Sequence, residues 1–168
     1  MENPTITIKR TKEELRTYNI FSAIERRPFR RVMEYVGPLM GIGSAVIFVI
    51  FSDPVFLILG LFLGFYSFMM RRTIKKSSDQ SYDTNNLGDI EITMTFSKDS
   101  FLTSFGEESK DIEYESLFRV YIRENDMIIY VSKFSGLYIN KKSYSEETIN
   151  QITQLITTAI PDKIKTFK

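Results

Sequence analysis

The 168-residue sequence contains no cysteine, no histidine and no tryptophan. Without cysteine, the chain has neither disulfide bonds nor thiolate chemistry. Without histidine, it lacks the commonest general base near neutral pH and the commonest metal ligand. The serines, lysines and carboxylates fall at positions typical of helix caps, turns and strand exteriors, and no glycine-rich phosphate loop is present. We therefore predict a protein that is not an enzyme, with no catalytic residue, no cofactor and no metal site.

Charge is almost absent from one long stretch, Tyr35–Met70, in which Asp53 is the single charged residue among 36. The turn signal Ser52-Asp53-Pro54 divides this stretch into two apolar runs of 17 residues each. A membrane-spanning helix needs about 17–25 residues. Asp53 has the character of a helix N-cap, and Pro54 suits the first helical position. The stretch predicts two transmembrane helices in a hairpin, with its tip at Ser52, Asp53 and Pro54.

Other interpretations of this stretch are less consistent with its composition. A buried hairpin of a soluble protein would carry polar residues on one face of each helix. A re-entrant loop would suit runs of roughly 25 Å at ~1.5 Å per residue, but it would leave Asp53 and the turn backbone in hydrocarbon. Each run is a little shorter than the ~30 Å hydrocarbon core of a bilayer. Extending the first helix back to Val32 removes most of this difference in length. Asp53 could also be a functional intramembrane carboxylate, although its place beside Pro54 favours the cap.

Basic residues flank the predicted hairpin on both sides and are absent from its tip. Short basic segments remain in the cytoplasm, which predicts a protein of the cell (inner, cytoplasmic) membrane with both termini cytoplasmic. The same side chains are candidates for contact with anionic lipid. They are four before the hairpin and four after it: Arg26, Arg27, Arg30 and Arg31, then Arg71, Arg72, Lys75 and Lys76.

Small residues recur along both apolar runs. Folding about the tip places Gly41 opposite Gly64, and Ala45 opposite Gly60. Small side chains let two helix backbones approach closely in lipid. We therefore predict that the two helices pack along Gly37, Gly41 and Ala45 on one side and Gly60 and Gly64 on the other. The alternative is that glycine is simply common in membrane helices.

The regions outside the hairpin have the patterns of a small α+β domain. Residues 1–31 predict a strand (Thr5–Lys9), a capping box formed by Thr11 and Glu14, and an amphipathic helix. That helix could lie on the membrane surface or on the soluble domain. The predicted organisation is therefore an N-terminal strand and helix (1–31), the hairpin (32–71), a basic flank and polar linker (72–88) and a cytoplasmic domain (89–168).

The C-terminal region alternates apolar and polar residues, which predicts six short antiparallel strands. A helix follows, with Ser145 as its N-cap and Pro161 at its end. We expect Ile6 and Ile8 of the first strand to join this sheet, because a lone strand is unstable and sheet edges need covering. Residues 77–168 carry 15 acidic and 10 basic side chains, which argues against nucleic acid as a partner. The predicted strands are Ile90–Ser97, Phe101–Phe105, Lys110–Tyr114, Phe118–Ile122, Met127–Val131 and Leu137–Asn140.

This layout resembles the YcxB-like family of small bacterial membrane proteins over nearly the whole chain. The residues that carry the resemblance are structural: Thr11–Leu15, the two apolar runs, the glycine-preceded strand Gly88–Phe96, Ile112–Tyr114 and the closing passage Leu137–Tyr144. The family often has tryptophan, proline and phenylalanine where this chain has Tyr114, Asn140 and Tyr144. The resemblance implies a pleckstrin-homology-like cytoplasmic domain and carries no catalytic residues.

These observations together favour a non-catalytic, membrane-tethered interaction module whose partners are the bilayer and an unidentified protein. A homo-oligomer is left open. Two alternatives are recognition of anionic lipid and an immunity-type role against a membrane-active toxin.

Overall fold

The computed structural model describes residues 3–167, except for the side chain of Ser67. The fold is α+β, as predicted, and it divides into two compact units. Residues up to 14 and from 86 onward form the first, which we call the sheet unit. Residues 15–85 form the second, the helical unit. The helical unit is thus inserted between two parts of the sheet unit in the sequence.

The sheet unit contains two four-stranded sheets and a helix that precedes the last strand in the chain. In the first sheet all neighbours are antiparallel and the order is β1-β2-β3-β4. These strands are β1 (Thr5–Lys9), β2 (Glu91–Phe96), β3 (Ser100–Phe105) and β4 (Glu108–Glu113). In the second sheet the order is β7-β6-β5-β8, and β8 runs parallel to β5. Its strands are β5 (Arg119–Ile122), β6 (Asp126–Tyr130), β7 (Gly136–Asn140) and β8 (Ile164–Thr166).

The N-terminal strand joins the C-terminal sheet, and this prediction is confirmed. β1 pairs with β2 so that Ile6 lies opposite Met94 and Ile8 opposite Ile92. Ile6 and Ile8 are 2% and 6% exposed, whereas Thr5, Thr7 and Lys9, which alternate with them, are exposed. The alternating sequence therefore buries one face of β1 in the core. The other face forms threonine pairs across the strands, including Thr7 with Thr93 at 3.2 Å.

The core of the sheet unit lies between the sheets and α4 (Glu146–Ala159). Ile149, Ile152 and Ile156 form the buried stripe of this helix, as its 3.6-residue spacing predicts. Burying each such side chain stabilises the fold by about 1.5–3 kcal/mol. Ser145 caps α4 by accepting from the backbone nitrogen of Thr148 at 3.2 Å, which confirms the predicted N-cap.

The helical unit is formed by three α-helices and a short π-helical turn among the residues described. α1 (Lys12–Ile20) begins in the sheet unit with the predicted capping box and continues into the π-helical turn Phe21–Glu25. In that box, the Thr11 nitrogen donates to Glu14 Oε2 at 3.1 Å and the Glu14 nitrogen donates to Thr11 Oγ1 at 3.2 Å. α2 (Pro28–Phe51) and α3 (Pro54–Thr84) complete the unit.

The predicted polar linker is largely helical instead. α3 continues through residues 76–84, and a short 3-10 turn, Leu87–Asp89, leads into β2. The polar side chains in this part of α3 are paired with α1. Arg16 forms two hydrogen bonds to Asp79, at 2.5 and 2.7 Å, and Asn19 donates to the Ser78 hydroxyl at 2.8 Å. A serine- and aspartate-rich composition suggested a loop because these tertiary contacts are not visible in local sequence.

Candidate functional site

The most prominent surface of the helical unit is apolar. Of the 25 exposed large hydrophobic side chains in the described chain, 21 lie between Phe29 and Met69. Val49 is 77% exposed, and Leu39 and Ile58 are 68% and 67% exposed. Single exposed hydrophobic side chains are normal, but a continuous apolar surface marks a site that is covered by lipid or by another protein.

Length and composition single out one helix in the described residues. α2 is long and apolar enough to cross a membrane. Only 17% of its 18-residue apolar segment is buried within the protein. The second helix qualifies only if its segments Pro54–Tyr66 and Phe68–Thr84, which meet at 42°, count as one span. The structure therefore offers one candidate span, or two with the bent pair.

The two helices pack closely at glycine. A Cβ atom added to Gly41 would lie 2.8 Å from the Gly64 nitrogen and 2.9 Å from the Gly60 oxygen. A Cβ on Gly60 would lie 2.9 Å from the Gly41 oxygen. The backbones therefore touch where folding about the tip places these residues. Gly37 is also buried on α2.

Two members of the predicted row contribute backbone atoms to the contact. Ala45 is exposed and Ser44 is the buried residue of that turn, but the Ala45 nitrogen would lie 3.3 Å from a Cβ on Gly60. Gly64 presents its backbone to Gly41, but a Cβ on Gly64 would meet nothing within 4 Å. A four-residue spacing suggested Ala45, whereas the 3.6-residue helical period also allows Ser44 at the interface.

The tip has the local structure that its sequence predicts. Ser52 ends α2 in the left-handed region at φ 53°. Asp53 Oδ1 accepts a hydrogen bond from the Val55 nitrogen at 3.0 Å, and Pro54 is the first residue of α3. Since the carboxylate satisfies a free N–H group of the helix, Asp53 has a capping role in this fold.

The eight basic residues lie at the opposite end of the helical pair from the tip. Arg26 and Arg27 precede α2, and Arg30 and Arg31 lie in its first turn. The other four follow the apolar part of α3. Glu34 of α2 pairs with Arg71 of α3, which brings the two groups to the same end. We call this set the basic root. The sequence prediction did not assign a role to Glu34.

A second polar cluster lies in the sheet unit, between β5 and β7. The Asp126 carboxylate, 4% exposed, accepts two hydrogen bonds from Arg123 at 2.6 Å and one from the Tyr138 hydroxyl at 3.1 Å. Burial, reinforced by Asp126, raises the pKa of Tyr138. Burial lowers the pKa of Lys141, whose ammonium donates to the Arg123 carbonyl at 2.5 Å. The buried carboxylate is thus satisfied by its neighbours, as a structural ion pair requires.

Asn140 and Tyr144, at and after the end of β7, form hydrogen bonds to the N-terminal segment of the sheet unit. Asn140 donates to Glu14 Oε1 at 3.1 Å, while the other carboxylate oxygen caps α1. The Tyr144 hydroxyl donates to the Thr7 carbonyl of β1 at 2.7 Å. The two contacts fix Glu14 and Thr7 to the rest of the sheet unit, and neither creates a reactive group.

Residues 3–167 contain no group of three metal-ligating side chains. An open cleft of about 330 Å³ lies beside α4 in the sheet unit, and Lys98 is the one charged side chain among its described lining residues. Comparison with known proteins found no matching family model, no similar curated protein and no similar solved structure. The exposed apolar surface and the basic root are therefore the candidate functional site. Most of the exposed large hydrophobic side chains of the described chain lie on this surface.

Proposed function

We propose that this protein is a non-catalytic, membrane-tethered interaction module. Its α2 and apolar α3 segment lie in the cell (inner, cytoplasmic) membrane, and its sheet unit lies in the cytoplasm. The exposed apolar surface between Phe29 and Met69 carries the proposal. Leaving one large hydrophobic side chain in water costs about 1.5–3 kcal/mol, so 21 of them make a water-exposed helical pair strongly unfavourable.

The orientation follows from the basic root. Lysine and arginine next to a membrane span are retained on the cytoplasmic side. The tip carries the exposed Asp53 and no basic residue. A hairpin with its root in the cytoplasm leaves both chain termini there, which agrees with a sheet unit built from both ends of the chain.

The assignment as an interaction module rests on the sheet unit. As part of this proposal, we compare its strands and α4 with the pleckstrin-homology-like domains of YcxB-like proteins. An exposed sheet edge can bind an extended segment of a protein partner. The buried polar cluster at Asp126 has its hydrogen bonds filled within the domain, so it is better suited to stability than to chemistry.

Alkaline carbonate extraction of cell membranes tests the tethering. The full chain is expected to remain in the membrane pellet, because its apolar helices do not depend on charge for attachment. A double variant, Ile42→Asp with Phe62→Asp, is the matched control, since these exposed side chains lie near the centres of the two apolar runs and each central acid costs about 2.5–3.5 kcal/mol on insertion. Release of the unmodified chain into the supernatant would refute membrane insertion.

The basic root favours a second candidate, recognition of anionic lipid. Each basic residue near an anionic surface contributes about 1 kcal/mol. Reconstitution of the full chain into vesicles with and without phosphatidylglycerol, followed by lipid crosslinking, tests this candidate. Crosslinks to phosphatidylglycerol should fall when Arg72, Lys75 and Lys76 become glutamine, because these three exposed side chains form no ion pair with an acidic residue of the described chain. Unchanged crosslinking would remove this candidate.

A further inference from the structure

Two hairpin loops of the sheet unit each expose a phenylalanine. One phenylalanine lies next to a basic residue, and the other lies near acidic residues. Phe134, in the loop between β6 and β7, is 79% exposed and follows Lys133. Phe105, at the end of β3, is 50% exposed and precedes Glu107 and Glu108. Beyond Met69, only four large hydrophobic side chains of the described chain are exposed, and these are two of them.

The loop with Phe134 is held in one conformation by its own hydrogen bonds. The Ser132 hydroxyl accepts from the backbone nitrogens of Phe134 and Ser135, at 3.3 and 3.1 Å. The Ser132 nitrogen donates to the Ser135 carbonyl at 3.1 Å, which closes the turn. An ordered loop loses little conformational entropy when its exposed ring is covered by a partner.

The start of β5 adds a second aromatic and basic pair at the same end of this sheet. The Phe118 nitrogen donates to the Tyr130 carbonyl at 2.8 Å, which places Phe118 beside the end of β6. The Arg119 guanidinium lies 5.6 Å from the Phe118 ring centroid, and the Lys133 ammonium lies 5.9 Å from that of Phe134. We call these four residues the basic tip. They offer two rings, each with a cation on its face.

The loop with Phe105 has complementary chemistry. Gly106 adopts φ +57°, which allows a two-residue connection between β3 and β4. Phe105 is paired across the hairpin with Glu108, and Glu107 lies at the turn. Glu107 and Glu108 are both exposed. We call Phe105, Glu107 and Glu108 the acidic tip.

We propose that the basic tip of one copy of this chain binds the acidic tip of a second copy. Each tip presents an aromatic ring for burial and charge of the sign that the other lacks, whereas two like tips would repel. Such an interface is heterologous, so it extends to rings or rows of molecules. It is also small, and small interfaces are weak and transient. The inference rests on the proposed function in one respect: it names a second copy as the partner of the interaction module.

Engineered cysteines test the contact directly, because the natural chain has none. Ser135→Cys and Ser109→Cys are exposed neighbours of the two tips that leave every charge in place. Differently tagged full-length copies are mixed in detergent micelles and oxidised mildly. We expect the Ser135→Cys and Ser109→Cys copies to crosslink to each other at least fivefold more than either does to itself, or than either does to Glu147→Cys on α4.

Charge reversal provides the second arm. Adding Lys133→Glu to the Ser135→Cys copy should reduce the crosslink at least threefold. Adding Glu107→Lys and Glu108→Lys to the Ser109→Cys copy should restore it, which excludes misfolding as the cause. Equal crosslinking of like and unlike copies, or no rescue by the double reversal, would overturn the proposal. Carbonate extraction measures membrane tethering independently of this contact. If the contact between copies is absent, the full chain should still remain in the membrane pellet.

Discussion

Gly41→Ala is the substitution for which the packing of α2 and α3 makes the sharpest prediction. The added methyl would lie 2.8 Å from the Gly64 nitrogen and 2.9 Å from both the Gly64 Cα and the Gly60 oxygen. All three are backbone atoms, so no flexible side chain can move aside. The helices must separate, and such overpacking costs about 1–3 kcal/mol. Alanine opposes this by stabilising α2 by up to about 1 kcal/mol relative to glycine.

Gly43→Ala isolates the intrinsic helical effect, because a Cβ there meets nothing within 4 Å. We expect Gly43→Ala to be neutral or stabilising and Gly41→Ala to be destabilising, with a difference of about 2 kcal/mol. Hydrogen–deuterium exchange of α2 and α3 amides in detergent micelles measures this difference as an opening equilibrium. The expected change is roughly 30-fold in exchange rate. Equal exchange in the two variants would refute close packing at Gly41.

Three further predictions concern the sheet unit. Ile6→Ala should lower the free energy of unfolding of the sheet unit, measured in urea, by about 2–5 kcal/mol, because Ile6 is 2% exposed opposite Met94. Thr7→Ala is the control, because the Thr7 side chain is exposed. An effect of Ile6→Ala no larger than that of the control would mean that β1 does not belong to the core. Ser145→Ala should cost about 1 kcal/mol through loss of the cap on α4, and a thermal midpoint equal to that of Ser143→Ala would contradict this. Burial, and then Asp99, raises the pKa of Tyr114 above its usual 10, so the stability that the neutral ring contributes is full below pH 10 and is lost as the pH rises further. Tyr114→Phe removes the hydrogen bond to the Ser97 carbonyl and should therefore destabilise the sheet unit at pH 7. In urea titrations above pH 10, the same variant should lose less of its remaining stability than the unmodified chain does. An equal loss of stability above pH 10 in both proteins would exclude this ring as a contributor.

The sequence was most informative where local signals agree with each other. Alternation located β1 and the six strands from β2 to β7, and cap residues located the starts of α1, α3 and α4. The apolar face of Ile6 and Ile8 predicted that β1 joins a C-terminal sheet, and the structure adds that its partner is β2. In these elements, each residue type favours the conformation that the tertiary fold also requires.

The missed features depend on contacts between distant residues. β8 has three residues and pairs in parallel with β5, whose partner positions lie more than 40 residues earlier in the sequence. The polar end of α3 is stabilised by Arg16 and Asn19 of α1. Glu34 gains its role only when α3 brings Arg71 beside it. Periodicity and composition contain little information about such pairings.

The central claim is that α2 and α3 cross the membrane with the tip outside and the basic root in the cytoplasm. A membrane-impermeant maleimide applied to intact cells tests it most directly, with single cysteines at the exposed positions Ser52 and Ser77. The account predicts labelling of Ser52→Cys in intact cells, and labelling of Ser77→Cys only after the cells are opened. Labelling of both positions from the same side of the membrane would contradict it.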